Sequence, residues 1–348
     1  MKDFISSIIA THNQPLQAEI QAHLDDLIKP PGSLGRLEEI AMRYCLCRGS
    51  AKAAIKRLQL FTFAGDHGIT QEKITPYPPE VTPQMVMGMA AGHAAVSVMC
   101  RAAGIDFAVV DVGVANKGFP EMRGLLQRKV AAGTRNFAHG AAMNEEECMR
   151  AVKVGFDLVA GSSADLIGVG EMGIGNSASA SALYSLLLDC DPEITVGPGT
   201  GSSGSLLEKK KNVIADAVRI HRATWDRSPV DALRRVGGFE IAAMVGAMFG
   251  GGAKRVPVVV DGFIAGAAAL VAMRIEPRVR DYLYFAHASA ETFHAGFLRM
   301  EGIRPLLTLD MRLGEGTGSV LAMQIIRQAM ECYHKMATFS SAGVSKGV

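Results

Sequence analysis

Six apolar runs of strand length constrain the fold of this chain more than any other feature. They span residues 58–64, 106–112, 166–170, 256–260, 282–286 and 306–309, and each is followed by Gly- or Ser-rich residues and a helical apolar pattern. A parallel strand covered by helices on both faces has no solvent side, so it reads as a near-continuous apolar run. Strands alternating with helices predict an α/β fold: three layers around a largely parallel, Rossmann-like sheet of about six strands. In open sheets of this class ligands bind outside the carboxyl ends of the strands. The loop after each run is therefore where chemistry is to be sought.

Two helical patterns precede the first run. Leu16, Ile20, Leu24 and Leu27 recur at helical spacing over residues 14–28, and Pro30-Pro31-Gly32 stops that helix because proline lacks the N–H and clashes with the preceding turn. Ser33 is placed to cap a second helix running through Cys45, with Leu34, Leu37, Ile40 and Ala41 on one face. Both lie outside the alternating core. They are expected to join the C-terminal helix beyond Met330 in a small helical lobe, residues 1–50 with 331–348, leaving 51–330 as the large α/β domain.

Composition narrows the class. With 348 residues, 49% hydrophobic, 20% charged and a formal net charge of +2, the chain has the make-up of an ordinary globular enzyme. Nothing in that balance calls for nucleic acid or an anionic membrane as partner. Glycine is abundant at 38 residues and aromatics are sparse at 6%, which favours tight turns and close backbone–ligand approach over a base-stacking surface. The six cysteines are scattered, and Cys45-Leu46-Cys47 has no second pair to complete a zinc site. They are expected to remain free thiols in a reducing cytoplasm. No apolar signal segment follows Met1, and the most apolar stretch, 241–273, is broken by Lys254, Arg255, Pro257 and Asp261, so no membrane span is expected.

Glu315 is the most pointed polar residue, set in Leu313-Gly314-Glu315-Gly316-Thr317-Gly318 between an apolar run and a helix. Flanking glycines permit positive φ and a close approach to a ligand. The carboxylate is either a helix-terminal charge favoured by the dipole or a group held toward a substrate. Asp66-His67 between glycines reads either as mutually hydrogen-bonded structure or as a metal- or base-orienting pair. Thr82 is expected to cap a helix with Pro83 at its first position, and Gln84 then faces the site or water. Gly168, Gly170 and Gly173 match G-x-G-x-x-G, which admits an NAD(P)-dependent oxidoreductase. Against it, Glu171 stands where a pyrophosphate would lie, and no following strand ends in an acid. Gly199-Thr200-Gly201 ahead of Lys209-Lys210-Lys211 reads as a phosphate cradle or as a solvated loop before a charged helix start. Asp261 would bind ribose hydroxyls or cap the next helix, and His287, Ser289 and Glu291 end the following run.

Taken together, these loops resemble the nicotinate-nucleotide:dimethylbenzimidazole phosphoribosyltransferases of cobamide biosynthesis. The matching stretches are 29–38 (KPPGSLGRLE), 64–69 (AGDHGI), 170–176 (GEMGIGN), 199–201, 260–264 (VDGFI), 287–291 and 313–318 (LGEGTG), in family order over nearly the whole chain. The resemblance implies transfer of the 5-phosphoribosyl group of nicotinate mononucleotide to a benzimidazole nitrogen with inversion, giving α-ribazole 5′-phosphate and nicotinate. It implies a cytoplasmic homodimer that takes small-molecule substrates and needs no cofactor or metal. By the same resemblance Glu315 is the base that takes the azole proton and Glu171 the second catalytic carboxylate. Gly173, Asn176, Gly199, Thr200, Gly201, Lys210, Asp261 and Ser289 fall to the nucleotide and its phosphate, and Gln84, Met172 and Leu313 to the entering base. Nicotinate leaves as a neutral pyridine and needs no acid, whereas the azole must lose a proton, so one carboxylate suffices. Pro198, the serines of 202–205, Thr292-Phe293 and Ser177-Ala178-Ser179 depart from the usual pattern, which leaves the nucleotide contacts and the accepted base open.

Overall fold

A computed structural model describes residues 1–345; the end of the expected small lobe, 346–348, lies outside the described residues. Six strands form one all-parallel sheet: β1 (Leu58–Gly65), β2 (Asp106–Gly113), β3 (Leu125–Gln127), β4 (Leu166–Met172), β5 (Val258–Val260) and β6 (Leu283–Phe285). Their order is β3-β2-β1-β4-β5-β6. The chain therefore builds outward from β1 on one side, then returns to place β4 on the other. That reversal makes a switch point between the carboxyl ends of β1 and β4, the place where open sheets of this class tend to admit a ligand.

Side chains alternate across the sheet with period two. Phe61, Phe63, Ile167, Val169, Val258 and Val260 face one buried cluster, while Leu58, Leu60, Leu166 and Val259 face the other. The first cluster is closed by the helices Glu145–Ala160, Asn176–Leu187, Phe239–Lys254 and Phe263–Ile275; the second by Gln14–Asp26, Arg36–Arg48, Ala95–Ala103 and Thr317–Lys335. Leu16, Ile20, Leu24 and Tyr44 of the N-terminal helices thus share one buried cluster with strand residues Leu58 and Leu60.

The helices Glu145–Ala160 and Phe239–Lys254 meet backbone to backbone. A Cβ on Gly155 would lie 1.7 Å from the Ala243 carbonyl oxygen, and one on Gly246 would lie 1.8 Å from that of Val152. Overpacking a close-packed core costs about 1–3 kcal/mol. Gly246→Ala is accordingly expected to lower the unfolding free energy by that amount while leaving the distant site intact, checked by urea titration.

Three expectations need correction. Residues 306–309 form no strand: they add a single bridge, His287 to Leu307, at the β6 edge before Leu309 turns half-exposed. The sixth strand is instead β3, whose three residues are too short and too exposed at Gln127 to register as an apolar run. The second N-terminal helix starts at Arg36 with Gly35 at its cap position, not at Ser33, because Glu38 Oε1 accepts the Leu34 N–H and pairs with Lys29 Nζ at 2.8 Å. Thr82 is no cap either. The Pro78-Pro79 turn starts the helix Val81–Ala90 earlier, with Glu80 at the cap position, and buried Thr82 Oγ1 accepts the Ile174 N–H at 3.1 Å.

Candidate active site

A cavity of about 650 Å³ occupies the carboxyl end of the sheet. Glu171 reaches it from the end of β4, Asn176 and Ser177 from the helix that follows, Asp261 from the end of β5, Ser289 from the loop after β6, and Glu315 from the start of the helix Thr317–Lys335.

The Glu315 turn is built against the strands. Gly314, Glu315 and Gly316 all have positive φ, +83°, +64° and +99°. A non-glycine residue in that region costs on the order of 1–3 kcal/mol and persists only when its surroundings enforce it. Here Asp261 enforces it. Its Oδ2 accepts the Gly316 N–H at 3.0 Å and its Oδ1 the Ser319 N–H at 3.1 Å, while Thr62 Oγ1 donates to the Glu315 carbonyl at 2.6 Å. Asp261 therefore caps a helix, but not the one that follows it: the helix Phe263–Ile275 has Gly262 at its cap position and no side-chain cap.

The fingerprint glycines serve the same packing. A Cβ on Gly170 would lie 2.3 Å from Gly316 N and 2.4 Å from the Glu315 carbonyl, and one on Gly173 would lie 2.2 Å from the Gly65 carbonyl oxygen. Gly168 abuts Met323, Leu60 and Ser319. What comes close to these glycines is the chain itself, not a pyrophosphate, so the oxidoreductase reading is not supported.

Glu171 and Glu315 are both buried. Glu171 Oε2 accepts a short hydrogen bond from Asn176 Nδ2, and its Oε1 lies over Gly314. Burial and then the Asp261 charge push Glu171 up to about 8, the Asn176 amide opposing. Burial pushes Asp261 up to about 7 against the backbone N–H groups it accepts, and raises Glu315 as well. Among the described residues Glu315 Oε2 has no hydrogen-bond partner. The buried Glu171 carboxyl ties stability to pH. The folded chain keeps a proton that an unfolded glutamate has released, so its contribution is full below the ordinary 4.5 and is lost as pH rises toward about 8. Glu171→Gln is expected to melt above the parent by a margin that grows from pH 5 to about 8, read by calorimetry across that range.

On the phosphate side, Lys210 is buried in the helix Gly204–Thr224; its Nζ donates to Ser177 Oγ at 3.0 Å and to the Gly197 carbonyl at 2.9 Å. Burial pushes it down to about 8, with the Glu291 charge opposing. The Gly199 N–H donates to Glu291 Oε1 at 3.0 Å, so a carboxylate holds part of the Gly-Thr-Gly loop. Thr200 meets Thr75 through their hydroxyls at 3.2 Å. Ser289 is set by His294, whose Nδ1 accepts the Ser289 N–H at 2.9 Å and which burial holds neutral, pushed down to about 3.

Of the residues read from sequence, Glu171, Met172, Gly173, Asn176, Gly199, Thr200, Asp261, Ser289, Leu313 and Glu315 line the cavity. Lys210 lies just behind Ser177 and Gly199, which line it. Gln84 and Gly201 are exposed and lie outside the lining; Met85, one position on from Gln84, lines it instead. Asp66 and His67 are not bonded to each other. His67 Nε2 pairs with Glu240 Oε1 at 2.7 Å and Nδ1 with Ser179 Oγ at 2.9 Å, while Asp66 Oδ2 accepts the Ala115 N–H. Sequence reading also missed Tyr77, Val81 and Arg312 in the lining. Tyr77 and Val81 stand in no motif that marks a site, whereas Arg312 had a signal: a cation three positions before Glu315. Among the described residues no group of three or more His, Cys, Asp or Glu is placed to share a metal ion.

A parallel sheet with a ligand-sized cavity at its carboxyl end, lined by carboxylates and backed by a buried lysine behind a Gly-Thr-Gly loop, fits an enzyme that moves a phosphorylated sugar. A family model described as a phosphoribosyltransferase matches residues 9–344. A nicotinate-nucleotide–dimethylbenzimidazole phosphoribosyltransferase of Chlorobium chlorochromatii (strain CaD3) is 46% identical over 100% of this chain and 99% of its own. One from Geobacter sp. (strain M21) is 44% identical over 96% of each. The crystal structure of CobT from Thermus thermophilus superposes with a TM-score of 0.90 at 41% identity, covering 96% of this chain and 100% of that one. The chain belongs to the nicotinate-nucleotide:dimethylbenzimidazole phosphoribosyltransferase family.

Proposed function

We propose that this protein transfers the 5-phosphoribosyl group of nicotinate mononucleotide to 5,6-dimethylbenzimidazole or a related base, giving α-ribazole 5′-phosphate and nicotinate, with Glu315 as the base. The observation that carries the role of Glu315 is the turn itself: a buried carboxylate at positive φ, pinned by Asp261 and Thr62, at the wall of the cavity. The azole nitrogen lone pair attacks the anomeric carbon as the bond to the pyridinium nitrogen breaks. That bonding pair returns to nicotinate, which departs neutral at nitrogen. The azole, now cationic, gives its N–H proton to Glu315, whose raised proton affinity suits it to accept one. Glu171 also lines the cavity, and once its buried proton is released its carboxylate would face the positive charge that develops on the ribose.

Phosphate binding falls to the Gly199-Thr200 backbone with Lys210 behind it, and requires Glu291 to yield the Gly199 N–H. The reading includes a cytoplasmic homodimer, tested by sedimentation, and a small lobe of 1–50 with 331 onward beside the 51–330 domain. The reaction is tested by turnover of nicotinate mononucleotide against a panel of benzimidazoles, adenine and phenols, read by mass spectrometry. Release of nicotinate with a new ribosyl phosphate is expected; no transfer to any base would overturn the reading.

A further inference from the structure

We propose that Arg312 receives the ring carboxylate of nicotinate and so selects the acid over the amide form of the donor nucleotide; this rests on the reaction proposed above. The donor brings two anionic groups into a cavity already lined by Glu171, Asp261, Glu291 and Glu315. Each needs a cation or oriented donors to replace its water. Lys210 is committed to one end, tied to Ser177 and the Gly197 carbonyl beside the Gly199 loop. His287 also lines the cavity, but burial pushes its pKa down and leaves it neutral.

Among the described residues lining the cavity, Arg312 is the one arginine or lysine. It is exposed, and no carboxylate of the cavity holds it. Glu171 is taken by Asn176, Asp261 by the Gly316 and Ser319 N–H groups and Glu291 by Gly199, while Glu315 Oε2 meets no donor, Arg312 included, among the described residues. Its guanidinium donors thus stay free for an incoming anion. Its backbone is held: the Ala290 N–H donates to the Met311 carbonyl at 3.0 Å, and Asp261 pins the same loop at Gly316. A planar fork of N–H donors on a fixed loop matches a carboxylate in two parallel hydrogen bonds, which a carboxamide cannot accept in the same way.

The test compares ligands that differ at one group. Nicotinate mononucleotide, nicotinamide mononucleotide and ribose 5-phosphate are titrated calorimetrically into the full-length parent, Arg312→Gln and Arg312→Lys. Arg312→Gln is expected to weaken nicotinate mononucleotide about 10- to 100-fold, the range of a lost hydrogen bond to a charged group, while ribose 5-phosphate changes by less than about twofold. Nicotinamide mononucleotide should bind parent and variant alike, and Arg312→Lys should recover part of the loss. Equal weakening of ribose 5-phosphate would move Arg312 to the phosphate and overturn the assignment, as would unchanged binding of nicotinate mononucleotide. Parental turnover of nicotinate mononucleotide, run alongside, reports the proposed reaction separately. If the parent turns over and the variant keeps its preference for the acid, only the role of Arg312 fails; if the parent does not turn over, both fall.

Discussion

Glu315→Gln is expected to fold with a melting temperature at or above that of the parent and to lose about 10²–10⁴-fold in kcat, the range of a missing general base. The amide is isosteric, and removing a buried charge whose Oε2 has no hydrogen-bond partner among the described residues relieves desolvation. The backbone contacts that pin the turn, from Thr62 and Asp261, involve main-chain atoms of Glu315 and Gly316 and survive the change. Parental kcat/KM should also fall on the acid side as the carboxylate, raised by burial, takes up a proton before substrate arrives. Steady-state rates with nicotinate mononucleotide and dimethylbenzimidazole, with calorimetry on the same samples, separate the two effects. A Glu315→Gln enzyme of parental kcat would remove Glu315 from the chemistry.

Gly170→Ala tests the scaffold beneath that carboxylate. The new methyl would lie within 2.4 Å of the Glu315 carbonyl and the Gly316 nitrogen, atoms that cannot rotate aside. Relief requires the whole turn to lift from β4. Overpacking of this kind costs about 1–3 kcal/mol, and a misplacement of about 1 Å at a catalytic group costs about 10²-fold in rate. Gly246→Ala provides the contrast, since its clash with the Val152 carbonyl is of the same kind but lies between two helices of the core. Equal loss of stability with unequal loss of rate, Gly170→Ala far the slower, is the expected outcome of paired urea titrations and turnover assays. Parallel losses of rate in the two variants would deny Gly170 any special link to Glu315.

Much of the frame was legible because it depends on local pattern. β1, β2 and β4 are long, buried on both faces and therefore apolar almost throughout, so their runs stand out at 58–64, 106–112 and 166–170. β3 was not legible. A three-residue edge strand ending at exposed Gln127 owes its existence to the neighbouring β2, not to its own composition. Residues 306–309 mislead in the opposite sense, apolar enough for a strand yet joined to the edge by one bridge. Most residues assigned by the resemblance line one cavity for a related reason: their motifs sit at the carboxyl ends of the strands, where the fold class places chemistry.

By itself, then, the sequence determined the layered parallel fold, the loops that hold the site and the two carboxylates offered to it. The tertiary structure decided what each polar group is for. Asp261 caps a helix whose N–H groups lie 55 and 58 positions further on, and His67 takes partners 112 and 173 positions away. The fingerprint glycines admit the Glu315 turn and the Gly65 carbonyl instead of a pyrophosphate. Periodicity and turn chemistry are encoded over a few residues, whereas a hydrogen-bond partner or a close approach exists only once distant loops have been brought together. Glu315 is the plainest case. Its neighbours allow positive φ, but the groups that hold it there come from β1 and from the end of β5.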